Sequence, residues 1–402
     1  MRRWFARYEA WLLLFLIGGV CVAGAWSISL IIPPPAHDEF NVLRWEVRHL
    51  PGKWLYLTGR FFSGGLSSEE EAERLGRYLV LTARIDSLER ATPLDEQELR
   101  RLLVERDTLE NDVEAIIEGR VTAVLEEVGL ETSVPLFPDA DLVFPPVDFE
   151  LDQPLPVIAV SPKERIELLR RRLLRQDLTA EEAVRIEESL EAEGDRSALV
   201  EQVAGIATYP SLVVPRSDYQ RLVETVAHEW VHHYLFFRPL GQRFFSSVEL
   251  QTMNETVADL VGQEMGAQVV NRYPLPSEFV EELEKLLPEE PDVDLGGILR
   301  QLRLDVEDLL RQGRVEEAEA LMEQRRRELS EQGLFIRRIN QAFFAARSVY
   351  ANTPASIDPL GSKLGLLRER TGSVAAFLRA AAGLTEAADL DSLLAEMAQI
   401  AP

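Results

Sequence analysis

Residues 217–237 read SDYQRLVETVAHEWVHHYLFF. Tyr219, Leu222, Val223, Val226, Ala227, Trp230, Val231 and Tyr234 recur at three- and four-residue spacing, so the stretch is expected to be a helix with one face in the core. Ser217-x-x-Gln220 has the form of a capping box at its start. On the neighbouring face lies His228-Glu229-Trp230-Val231-His232, an H-E-x-x-H pattern. Residues four apart stand one turn apart on the same side of a helix, so two imidazoles here can reach one Zn²⁺ ion. A carboxylate at Glu229 can then accept a proton from a metal-activated water. The chain has only five histidines, and three of them fall within these six residues, which makes an incidental match improbable. His233 points about 100° away from His232 and is read as a neighbour of the site, not a ligand.

Two histidines leave a zinc ion underbound, so a third ligand is required. Glu255 follows in Asn254-Glu255-Thr256-Val257-Ala258-Asp259. This segment also reads as a helix, with Met253, Val257, Leu260, Val261 and Met265 as its apolar stripe. Glu255 and Asp259 share a face: the first can bind the metal, and the second can accept a hydrogen bond from the outer nitrogen of a ligand histidine.

The pair HEWVH and NETVAD resembles the gluzincin metallopeptidases, the thermolysin-like clan. The resemblance spans about 45 residues, 217–264. It implies a zincin-like catalytic domain, one Zn²⁺ held by His228, His232 and Glu255, Glu229 as general base, and Asp259 orienting His228. It further implies a peptide or protein substrate lying along an edge strand, which Ala207–Val214 could supply, though that stretch reads equally well as a buried strand, and an oxyanion stabiliser from a C-terminal helix. Tyr350, on a helix expected around 335–351, is the candidate for that role. Other zinc classes fit less well. A metzincin needs glycine at 235 and histidine at 238, where this chain has Leu235 and Arg238. An intramembrane peptidase would not carry Arg221 and Glu224 on its motif helix. Whether the enzyme would be an endopeptidase or an aminopeptidase is left open.

Outward from this centre the chain reads as mainly α with a small β component. Residues 36–197 are expected to form a mainly helical region with a short strand, and 198–402 the zincin-like domain. Ser67-x-x-Glu70 is a capping box for a helix reaching about Arg90. Thr92-Pro93 looks like the cap and first residue of a second helix, whose stripe runs from Leu99 to Val128. Pro156–Val160 reads as a strand, Ser161-Pro162-Lys163-Glu164 and Thr179-x-x-Glu182 as further helix starts, and 198–214 as strand-like. The charge-rich run 294–333, with leucines at helical spacing, reads as a solvated helical hairpin.

At the N-terminus, Arg2, Arg3 and Arg7 precede Trp11–Ile32, 22 residues without a charge, closed by Pro33-Pro34-Pro35. As a helix that stretch spans about 33 Å, enough for a hydrocarbon core. It is read as a transmembrane signal anchor with residues 1–10 cytoplasmic and the remainder extracytoplasmic at the cell membrane. The alternative is a signal peptide cleaved after Ala23-Gly24-Ala25. The single cysteine, Cys21, excludes an intrachain disulfide. A net charge of -25 disfavours a nucleic-acid partner, and oligomeric state is left open. A competing reading of the whole is a membrane-tethered helical interaction module on a peptidase scaffold that has lost activity.

Overall fold

Helix α1, Ser68–Glu89, begins where the Ser67 hydroxyl accepts the Glu70 N–H and the Glu70 carboxylate accepts that of Ser67, the capping box expected there. The structure is a computed structural model and describes residues 38–49, 66–134, 137–287, 291, 293–353 and 356–400. The expected anchor at Trp11–Ile32 lies outside these residues. Among the described residues no helix is long and apolar enough to cross a membrane.

The chain is mainly helical with a small β component. After α1 come α2 (Glu96–Asp107), α3 (Glu110–Glu127), β1 (Glu131–Val134), β2 (Phe137–Val143), β3 (Phe149–Leu151), β4 (Leu155–Pro162) and β5 (Arg170–Leu173). Next are α4 (Ala180–Glu191), β6 (Arg196–Val203), β7 (Gly205–Ile206) and β8 (Ser211–Val213). The two motif helices follow as α5 (Tyr219–Phe236) and α7 (Val248–Arg272), joined through α6 (Pro239–Gln242). Helices α8 (Ser277–Leu286), α9 (Leu295–Arg311), α10 (Val315–Glu331), α11 (Gln341–Arg347), α12 (Pro359–Arg370), α13 (Val374–Ala382) and α14 (Ala387–Ile400) complete the order.

Several local readings change in the fold. The second helix is capped by Asp95, not Thr92, because the Asp95 carboxylate accepts the N–H groups of Gln97 and Glu98. The stripe from Leu99 to Val128 is divided between α2 and α3 by a break at Thr108–Leu109. Ser161-Pro162-Lys163-Glu164 starts no helix. Its first two residues finish β4 and pair with Ser197 and Arg196 of β6, so tertiary pairing overrides the capping signal. The Ser161 hydroxyl instead accepts the Glu167 N–H. Thr179 does cap α4 through a box with Glu182. Helix α5 starts one residue later than expected, with Asp218 accepting the Arg221 N–H. The helix expected around 335–351 is confined to α11, and Tyr350 follows its end.

Of two three-stranded sheets, β3-β8-β7 packs on the motif helix α5 and β5-β4-β6 on α4 and α11. Each has one edge closed by helix carboxylates. Glu114 and Glu118 of α3 accept the N–H groups of Leu151 and Phe149 on β3. Glu187 and Glu191 of α4 accept those of Val200 and Ala198 on β6, and Arg337 and Arg338 pair with these two carboxylates. Exposed strand edges invite further pairing, and these contacts remove that option on the two outer faces. Within Ala207–Val214, the expected edge, only Ser211–Val213 is a strand. It is central and buried, parallel to β3, and the outer strand is β7.

The expected boundary between 197 and 198 falls inside β6, which is paired along its length with β4. The principal core also crosses it, joining Leu75, Leu79, Ile117 and Val121 to Val226, Trp230, Val257 and Leu378. Helices of the first half are therefore built into the same apolar body as the motif helices, since neither set could bury its stripe alone. The 294–333 hairpin is present as α9 and α10. Its leucines (Leu302, Leu310, Leu329) form a second core with α11 and with Ala159 and Leu199 of the sheet.

Helices α5 and α7 pack at unusually close range because α7 presents glycine to α5. A Cβ at Gly262 would lie 2.8 Å from the Glu224 carbonyl oxygen and 3.3 Å from the His228 nitrogen. Gly262→Val should therefore force the helices apart, destabilising the fold by about 1–3 kcal/mol. It should also weaken metal binding, because the added side chain presses on the backbone and Cβ of His228 and Glu255 rides on the displaced helix. Thermal unfolding and a zinc titration against a competing chelator read the two effects.

Candidate metal centre

His228 and His232 project from α5, which is held by the burial of Val226, Ala227, Trp230 and Val231 on the adjoining faces. The Trp230 indole N–H donates to the Pro145 carbonyl at 2.8 Å, which fixes the rotation of the helix against the β2–β3 connection. Helix α7 supplies Glu255, 6% exposed, from between the fully buried Met253 and Val257.

The three donor atoms converge. His228 Nε2 and His232 Nε2 are 3.1 Å apart, and Glu255 Oε2 is 3.5 Å from each. Ligand atoms of a tetrahedral zinc ion bonded at about 2.05 Å stand about 3.3 Å from one another, so the triangle has the dimensions of one face of that tetrahedron.

The outer nitrogens strengthen the case. His228 Nδ1–H donates to Asp259 Oδ1 at 3.0 Å, and His232 Nδ1–H donates to Asn254 Oδ1 at 2.7 Å. With both Nδ1 atoms acting as donors, neutral imidazoles direct both Nε2 lone pairs at each other and at a carboxylate. That arrangement calls for a cation among the three atoms, either a metal ion or a proton on His228. Among the described residues these three side chains form the one group of histidine and carboxylate atoms able to hold a metal. Asp259 stands where the sequence placed it. Asn254 was quoted as part of the motif but given no role, and its position one residue before a ligand glutamate on a buried helix is the signal that could have supplied one.

The local electrostatics follow from burial and neighbouring charge. Burial opposes charge on His228, but hydrogen bonds to Asp259 and Glu255 outweigh it and raise its pKa well above the ordinary imidazole range. Burial likewise opposes the charge of Glu255, and the two histidines overcome it and hold the carboxyl below the usual range. Glu229 is moved the other way: burial raises its pKa, with His228 and His232 only partly offsetting it. Its carboxylate lies against β7, where a Cβ at Gly205 would come within 2.4 Å of Oε1.

His233 is no ligand. It is buried, and its Nε2–H donates to the Thr208 carbonyl at 2.6 Å. Burial depresses its pKa from 6.5 to about 4. Between those values the unfolded chain binds a proton that the folded chain refuses, so stability is complete above about pH 6.5 and falls as the pH drops towards 4. The loss attributable to this residue should reach up to about 3 kcal/mol. Denaturant titrations across that range should show a shallower decline in His233→Gln, whose amide can still donate to Thr208.

Tyr350 lies beside the triad, its ring centroid 6.5 Å from that of His228. The segment bearing it is pinned to α7, because the Thr256 hydroxyl, next to Glu255, accepts the Ala351 N–H at 3.1 Å. Burial and the nearby Glu255 raise the phenol pKa, so it remains protonated. Arg171 of β5 lies within charge reach of Tyr350, Glu255 and Glu229. Sequence reading missed Arg171. It sits in a run of three arginines, Arg170–Arg172, and no local pattern distinguishes the one that the strand turns towards the centre.

No protein-family model, curated protein or solved structure matches the chain.

Proposed function

We propose that the chain is a zinc-dependent peptidase of gluzincin type, with His228, His232 and Glu255 as ligands and Glu229 as general base. The observation that carries the reading is the triangle of three acceptor atoms with sides of 3.1, 3.5 and 3.5 Å. A zinc ion bound there supplies Lewis acidity, polarising a carbonyl and bringing the pKa of a water near neutrality.

The chain's own residues account for the remaining roles. Glu229, with a pKa raised by burial, is suited to taking a proton on its carboxylate and returning it to the leaving amine. Asp259 and Asn254 keep the imidazoles in the tautomer that leaves Nε2 free. Arg171 lies within charge reach of the Tyr350 phenol, whose hydrogen is available to a developing oxyanion. β7 is the outer strand of its sheet and lies against Glu229, so an extended peptide added alongside it would pass the general base. This moves the substrate-pairing role from Ala207–Val214 to Gly205–Ile206. The extracytoplasmic, membrane-anchored location expected from Trp11–Ile32 is part of the same proposal. The test is cleavage of a peptide library by the zinc-loaded chain and its dependence on Glu229; absence of zinc-dependent cleavage across the library would remove the peptidase reading.

A further inference from the structure

The connection between the two motif helices carries an apolar surface that packing does not explain. Phe236 is 67% exposed, Phe237 47%, Phe245 95% and Val248 61%. Three of the four phenylalanines standing exposed among the described residues belong to this short stretch, the fourth being Phe335. Single exposed apolar residues are ordinary on a protein surface, whereas a cluster indicates an interaction.

The cluster is held in a defined shape. Leu240 is fully buried. Gly241 allows the chain to turn back on α5, since a Cβ there would lie 2.1 Å from the Leu235 carbonyl oxygen. Backbone bonds from Arg238 to Leu235, Gln242 to Arg238 and Phe244 to Gly241 close successive turns. The Phe237 ring meets Phe144 at 5.3 Å, and the Phe245 ring meets Phe244 at 4.9 Å.

Its charge is opposite to that of the molecule. The chain has 68 acidic residues in 402 and a net charge of -25, yet none of them lies between Glu229 and Glu249. The only formal charges there are Arg238, stacked 5.0 Å from the Tyr234 ring, and the exposed Arg243. Asp389 of α14 lies within charge reach of Arg243, but the segment itself offers protruding aromatic rings and arginines and no carboxylate, which suits the interface of a bilayer bearing anionic headgroups. A second copy of this acidic chain, or an acidic protein, offers less to the rings and nothing comparable to the arginines. The anchor expected at Trp11–Ile32 would by itself hold the chain at a bilayer, which makes a lipid surface the partner at hand for this patch.

We propose that residues 236–248 dock on an anionic lipid surface, with Phe236, Phe237 and Phe245 entering the interface and Arg238 and Arg243 meeting headgroup phosphates. Phe244 stands between this surface and the metal centre, its ring 6.3 Å from that of His232. Docking would therefore hold the centre close to the bilayer, and its substrates would be segments that emerge at the lipid surface. The docking itself does not depend on the identity of the metal.

The test uses the full chain with Cys21→Ser and a single label site, Phe245→Cys, carrying an environment-sensitive fluorophore. At 95% exposure this substitution removes only the ring contact with Phe244. Val104→Cys on α2, 65% exposed and outside the aromatic cluster, is the reference. With vesicles of phosphatidylcholine and phosphatidylglycerol, the label at 245 should shift to the blue and be quenched by doxyl-labelled lipid, while that at 104 stays in water. Replacing Arg238 and Arg243 by Gln should remove the difference between these vesicles and phosphatidylcholine alone, with zinc content unchanged. Equal quenching at the two sites overturns the proposal. So does a blue shift already present without vesicles and insensitive to doxyl lipid, which would assign the surface to another segment of this chain. A shift that depends only on protein concentration would assign it to a second copy.

Discussion

Zinc-loaded Glu229→Gln is expected to retain one equivalent of metal and to hydrolyse peptides about two to four orders of magnitude more slowly than the unaltered chain. The substitution preserves size and leaves the triangle of His228, His232 and Glu255 intact. What it removes is a carboxylate able to gain and release a proton. Glu229 is suited to that exchange because burial raises its pKa towards the working range while the two histidines keep it from rising without limit. The side chain is 5% exposed and bounded by Gly205, so glutamine should occupy the same volume without moving β7. Metal analysis and kcat/KM on a fluorogenic peptide, measured on the same preparation, separate the two properties. Wild-type turnover in a variant holding its zinc would exclude Glu229 as the base.

His228→Ala and Glu255→Ala should each abolish stoichiometric zinc and, with it, all peptide hydrolysis. Two remaining donors cannot complete the coordination that a structural or catalytic zinc requires. Glu255 contributes the only negative charge among the three, and both imidazoles lie 3.5 Å from its Oε2. Asp259→Ala should behave differently: the ligand atoms survive, but His228 loses the acceptor that fixes its tautomer, and zinc affinity should fall by about 10–100-fold. Affinity in the unaltered chain should also weaken as the pH falls, because the proton that Asp259 and Glu255 stabilise on His228 must leave before zinc can bind. Equilibrium dialysis of each variant, with far-ultraviolet circular dichroism to confirm folding, gives the ordering. Undiminished zinc in Glu255→Ala would show that the ion sits elsewhere.

Both predictions rest on residues that stood out before any coordinates. H-E-x-x-H is legible because the two histidines answer to one helical turn, a local geometry that sequence spacing encodes directly. The capping boxes at Ser67 and Thr179 are legible for the same reason: donor, acceptor and their separation all lie within four residues. The box at Ser161 has the same local form and fails, since β6 pairs Ser197 with Ser161 and Arg196 with Pro162 from far along the chain and strand pairing is worth more than one cap. Arg171 was invisible because its role depends on which of three adjacent arginines a strand register turns towards Tyr350.

The sequence by itself therefore determined the two helices, the donor side chains on each and the expectation that one divalent ion joins them, because each of these is a statement about a single turn or a single stripe. Tertiary structure alone decided that Gly262 brings the helices close enough for Glu255 to reach both imidazoles. It alone made β7 the strand beside Glu229, and it alone left the phenylalanines at 236–248 without cover. These are distances between segments remote in the chain, and they depend on how the whole core packs, which no local spacing records.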